Sequence, residues 1–157
     1  MIAQRHGRII NVSGGGATNP LPRLSSYAAS KAAVVRFTET LALELKEYGI
    51  TVNAIAPGAL ATRLMQQLVD AGPERVGAAF HERMKKIQEG GGTPLQLGAE
   101  LAAYLASDES AGVTGRLIAA QWDPWRTLRE RADELDGSDI YTLRRIVPED
   151  RGRDWGS

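Results

Sequence analysis

The chain has 157 residues, 43% hydrophobic and 24% charged, the make-up of a folded domain with a core rather than a disordered segment. Nineteen basic and 19 acidic side chains cancel to a formal net charge of zero, which argues against a nucleic-acid or anionic-membrane surface. Cysteine is absent, which excludes disulfides and thiolate metal sites, and two histidines are too few for a His-rich metal centre.

No apolar run approaches the ~20 residues that a bilayer crossing needs. The opening "MIAQRH" does not read as a secretory signal, so a soluble, cytoplasmic setting is expected. "GRIINVS" (7–13) is a β-branched run ending in "GGG", the pattern of a buried strand closed by a glycine-rich turn. "ATNPLPRLS" (17–25) has the prolines and the Asn-Pro pair of a loop. Ser25 or Ser26 offers a cap oxygen for a helix running to Tyr48, with Val34, Val35, Phe37, Leu41 and Leu45 at helical spacing and Gly49 as its stop.

"ITVNAIA" (50–56) is a second strand, ended by "PG". A long helix joins the two strands, which makes them parallel neighbours. Helices follow over 62–70, about 74–88 and 97–107, with "GGGTP" (90–94) as a flexible joint, and "GRLIAAQW" (115–122) reads as a third strand. The β-α-β-α-β order is that of a doubly wound α/β sheet. From Asp123 the composition turns to charge and tryptophan, with a helix over about 124–135 and then an irregular tail. The expected division is residues 1–122 and a C-terminal extension, 123–157, packed on the main body or on a second subunit.

Tyr27 and Lys31 stand four residues apart on the first helix, and so share one face. A free phenol titrates near ~10, and a neighbouring cation favours the phenolate, which suits such a pair to general acid–base work. Alone, this spacing is common by chance. Here a strand ending at Ser13 precedes it and a strand ending in "APGALAT" follows it, and both ends open on the sheet edge where α/β proteins bind ligands.

Strand and serine, then "YAASKAA", then "GITVNAIAPGALAT" resemble the C-terminal half of the short-chain dehydrogenase/reductase family, from about Gly7 to Ile118. The resemblance implies a partial Rossmann-like parallel sheet and hydride transfer between NAD or NADP and a small carbonyl or alcohol substrate. It implies Tyr27 as acid/base, Lys31 as its electrostatic partner and ribose ligand, and Ser13 as the group that orients the substrate. Pro57, Gly58 and Thr62 fall where the family contacts the nicotinamide, and family members of full length are homo-oligomers.

Two departures bear on this. Many members carry the catalytic serine one residue closer to the tyrosine, where this chain has Gly14, so either Ser13 serves through a longer loop or the role is unfilled. Ser13 is preferred, since a glycine run lets the turn re-aim the residue before it. No strand leads through a glycine-rich turn into a helix, so the part that would hold the pyrophosphate and adenosine is absent. The chain is expected to be N-terminally truncated. The alternative is an inactive fragment that acts, if at all, by associating with another subunit. At the far end the family's Asp is kept as Asp123, while the glycines that usually follow are Pro124 and Trp125.

Overall fold

A computed structural model describes residues 1–156. Strands and helices alternate from the start: β1 (Gly7–Val12), α1 (Ser25–Leu45), β2 (Ile50–Ala56), α2 (Arg63–Asp70) and α3 (Pro73–Val76). Then come α4 (Ala78–Glu89), α5 (Leu95–Ala106), β3 (Leu117–Ala119) and α6 (Ala132–Leu135). The strands form one parallel sheet in the order β1-β2-β3, with Gly7 opposite Ile50 and Ala54 opposite Leu117. This is the expected α/β arrangement.

The sheet divides its side chains by parity, as a pleated strand must. Ile50 and Val52 of β2 pack with Ala42 of α1, and Ala54 packs with Val35. Ile55 turns to the other side and joins Leu101, Leu105, Ile118, Trp125 and Leu128 in a core built on α5. Helices therefore cover both faces of β2, and its near-continuous apolar run follows from that. Buried Asn53 is the exception. Its amide donates to the Val113 carbonyl (2.9 Å) and its oxygen accepts from the Arg116 amide (3.1 Å), which aligns the chain entering β3.

α1 ends as expected, passing through a 3₁₀ turn (Lys46–Tyr48) to Gly49 in the left-handed conformation. Its start differs: Leu24 occupies the N-cap position and no side chain caps the helix, so Ser25 and Ser26 lie inside the first turn. Burial holds the helix instead, with Val35, Thr38, Glu39 and Ala42 turned to the sheet. Thr38 is fully enclosed, donating to Val34 (2.8 Å) and accepting from Asn11 of β1 (2.9 Å).

The polar helix expected over 74–88 divides at Gly77 into α3 and α4, and the third strand is shorter than its apolar run suggested. The helix expected over 124–135 is mostly 3₁₀ (Trp125–Arg131), with α6 as its last turn. Trp125 pins it to the body, with its ring 5.6 Å from that of Tyr104 and its indole N–H on the Ala120 carbonyl (3.0 Å). Trp122 and Trp155 remain exposed.

Candidate active site

The carboxyl ends of β1 and β2 open into a cleft of about 940 Å³. Ser13, Tyr27, Lys31, Pro57, Gly58 and Thr62 all line it. Residues up to 49 positions apart in sequence (13 to 62) thus meet because the strands are parallel and both end on the same side.

Tyr27 and Lys31 are half-buried on the first turns of α1. The Lys31 ammonium lies 5.7 Å from the centre of the Tyr27 ring, within cation–π range. It also donates to the Val12 carbonyl at 3.1 Å, the last residue of β1. Ser13 follows Val12, is buried, and donates its hydroxyl to the main-chain carbonyl of Lys31 at 3.0 Å. Strand end and helix are therefore clasped in both directions. With its proton on the Lys31 carbonyl, Ser13 keeps only lone pairs for a ligand.

Position 14 has the opposite aspect. A Cβ built on Gly14 would stand 3.0 Å from the Tyr27 phenol oxygen. The glycine brings bare backbone up to the phenol, and a side chain at this position would touch it.

On the β2 side, Gly58 adopts φ +98°, which favours glycine, and a Cβ there would strike Thr93. The turn is pinned by the Thr93 amide on the Ala59 carbonyl (2.9 Å) and a bridge between Leu60 and Gly92. Thr62 stands at the N-cap of α2 and is exposed. Beyond it Met65, Leu68, Phe80, Met84 and Ile87 form an apolar wall of the cleft.

The sequence reads here as a helix over 62–70 and a polar helix over about 74–88, and does not foreshadow an apolar wall. Trp122, Asp123, Tyr141 and Thr142 complete the lining, and the last two come from a tail with no periodic signal. Arg63, Gln66 and Gln67 lie on the exposed side of α2. His81 is half-buried and bonds the Val69 carbonyl (2.9 Å).

A profile described as short chain dehydrogenase matches residues 1–72. The chain is 41% identical over 119 residues to the 3-oxoacyl-acyl-carrier-protein reductase FabG of Thermotoga maritima. It is 38% identical over 118 residues to nodulation protein G of a Rhizobium species. Each alignment takes in 75% of this chain and 45% of the relative. Among solved structures, an actinorhodin polyketide ketoreductase with NADPH superposes at a TM-score of 0.64 and 31% identity, over 76% of this chain and 47% of that one.

Over residues 1–72 the chain matches the short-chain dehydrogenase family. It spans about half the length of the curated family members it matches. A gluconate 5-dehydrogenase from Burkholderia cenocepacia, solved with NADP and tartrate, is a further family member of like fold, at a TM-score of 0.61 and 33% identity over 75% of this chain and 44% of its own. The solved neighbours are Rossmann-fold reductases, and the parallel three-stranded sheet of this chain is a part of that α/β fold. Among the described residues no helix is long and apolar enough to cross a membrane, and no cluster of His, Asp and Glu is arranged to hold a metal.

Proposed function

We propose that this chain carries the substrate and nicotinamide side of an oxidoreductase site, with Tyr27 exchanging the proton while hydride passes between NAD or NADP and a small carbonyl or alcohol. The observation that carries the reading is the convergence of Tyr27, Lys31, Pro57, Gly58 and Thr62 on one cleft at the carboxyl edge of a parallel sheet. The donor set fits a nicotinamide riboside. An ammonium has three N–H donors and Lys31 gives one to Val12, so two remain for ribose hydroxyls beside the Tyr27 phenol. When bound, the nicotinamide supplies or accepts the hydride.

Tyr27 donates its proton to the carbonyl oxygen as the alcohol forms, and takes it back in the reverse direction. The nearby Lys31 ammonium stabilises the negative charge left on the phenol oxygen. We assign Ser13 a positioning role: its hydroxyl holds the helix turn that carries Lys31. Pro57, Gly58 and Thr62 shape the wall against which the nicotinamide ring would rest.

The test is a titration of the chain with NADH and NADPH, followed by tryptophan emission, since exposed Trp122 lines the cleft. Saturable binding, weakened tenfold or so by Lys31→Met, supports the reading. Tyr27→Phe should keep that binding and lose carbonyl reduction by a factor of about 10² to 10⁴, the usual worth of a positioned acid. The reading falls if neither nucleotide binds, or if the Tyr27→Phe protein turns over like the parent.

A further inference from the structure

The C-terminal segment returns to the sheet and is fastened there at several points. Arg116, buried at the head of β3, donates its guanidinium to the carbonyls of Leu135, Ser138 (3.0 Å) and Ile140 (2.7 Å). The Leu117 amide donates to the Tyr141 carbonyl at 2.9 Å, which adds the segment to the free edge of the sheet. Further on, the Leu143 amide donates to the buried Glu39 carboxylate of α1 (2.6 Å), and Arg36 donates to the Leu143 carbonyl.

Between these fastenings Tyr141 takes φ +61°, a left-handed conformation rare for an aromatic residue. Such a conformation persists where the surroundings over-determine it, and such sites cluster where ligands bind. The outcome is that Tyr141 and Thr142 face the same cleft as Tyr27. No described residue accepts a hydrogen bond from the Tyr141 hydroxyl, while Thr142 spends its own on the Asp139 carbonyl (2.7 Å).

Asp123 shares this wall. One of its oxygens accepts from the Ala119 amide (2.6 Å), and the carboxylate acts on the Tyr141 phenol. Burial first, and then Asp123, push the phenol above its ordinary range against the opposing pull of Arg131, so it stays a neutral donor. A second anion would meet Asp123 here. The cations that line the cleft are Lys31, beside Tyr27, and Arg83 of α4, which stacks on Phe80 at 5.3 Å.

Resting on the oxidoreductase reading above, we infer that the fastened tail builds a second polar subsite, in which Tyr141 donates a hydrogen bond to a neutral acceptor on the substrate and Asp123 turns anionic groups away. The substrate class is then a ketone, or its alcohol, with an apolar body against the Met65–Phe80–Met84 wall and an ester, amide or keto oxygen at its far end. Carboxylates and phosphates are disfavoured in that place.

The test uses benzoylpropionate and its ethyl ester, which share one aryl ketone and differ in charge at the far end. Dissociation constants come from ligand-observed magnetic resonance on the intact chain, so no turnover is needed. The ester should bind at least fivefold tighter than the acid. Tyr141→Phe should weaken the ester by about three- to tenfold, the worth of one hydrogen bond, and Asp123→Asn should narrow the gap between the two. Should Tyr141→Phe fail to fold, the ester-to-acid ratio in Asp123→Asn against the parent decides.

Equal affinities, or an acid drawn more tightly towards Arg83, would overturn the subsite, as would an ester indifferent to both substitutions. Nucleotide binding without ester preference removes the subsite and leaves the redox reading. Ester preference in a chain that binds no nucleotide does the reverse.

Discussion

Ser13 and Lys31 hold each other across the mouth of the sheet: the serine hydroxyl donates to the lysine carbonyl at 3.0 Å, and the lysine ammonium donates to the carbonyl of Val12, next to the serine, at 3.1 Å. The clasp joins the end of β1 to the second turn of α1, and so sets where the ammonium stands relative to the Tyr27 ring.

Ser13→Ala removes one buried bond of this clasp. The expected cost is about 1 kcal/mol, read as a fall of about 3 °C in the thermal midpoint. Nucleotide affinity should fall further than stability alone explains, because Lys31 loses its register. An unchanged affinity would show that the serine only stabilises.

Gly14 separates two outcomes. Its added Cβ would lie 3.0 Å from the Tyr27 oxygen, a contact the end of a side chain can ease by a few tenths of an ångström. Gly14→Ser should keep the fold and hydrogen-bond the phenol, while Gly14→Val should push the ring aside. Tyrosine side-chain resonances would shift modestly in the first and strongly in the second, with any carbonyl reduction lost in the second only.

Arg116 fastens the tail. Arg116→Met keeps the volume but leaves the carbonyls of Leu135, Ser138 and Ile140 without their donor. A loss of about 3 kcal/mol is expected, or about 9 °C of thermal midpoint. Proteolysis should open the chain between residues 136 and 143 before it cuts elsewhere. A tail still protected in this variant would show that Glu39 and Arg36 suffice.

Acid should release the last turn of the tail in a defined window. The Arg144 guanidinium first, and the Val147 amide second, hold the Asp150 carboxyl at about 2, below its ordinary 3.8. A carboxylate held low in the folded state adds stability that is whole above the ordinary value and is lost as the pH falls towards the folded one. The Val147 amide, which donates to Asp150 at 2.7 Å, should therefore shift between pH 4 and 2. Asp150→Asn should abolish that transition, and a midpoint at 3.8 would mean the clip does not form.

Much of the site was readable from the chain because its parts are local signals. A β-branched run ending at a glycine turn marks a strand end, and a tyrosine and lysine four apart share a helix face whatever the helix packs on. Two strands joined by one helix must run parallel and end on one side. Those regularities depend on backbone geometry over a few residues, so Tyr27, Lys31, Pro57, Gly58 and Thr62 could be assigned to one edge before any coordinates. The aim of Ser13 could not, since neighbouring residues at a strand end point to opposite sides and one step decides whether a hydroxyl meets the helix or the phenol.

The α/β class, the parallel order of the first two strands and the pairing of Tyr27 with Lys31 were determined by sequence alone, through period, punctuation and spacing. Three things were decided only by tertiary structure: that Ser13 turns to Lys31 while Gly14 meets the phenol, that α1 starts without a side-chain cap, and that Tyr141 and Thr142 reach the cleft. The last depends on Arg116, Glu39 and Leu117 binding a tail 19 to 104 residues away in sequence, with Arg116 reaching Leu135, Ser138 and Ile140 and Glu39 reaching Leu143. No local pattern records such bonds, because their partners become neighbours only after the sheet has formed.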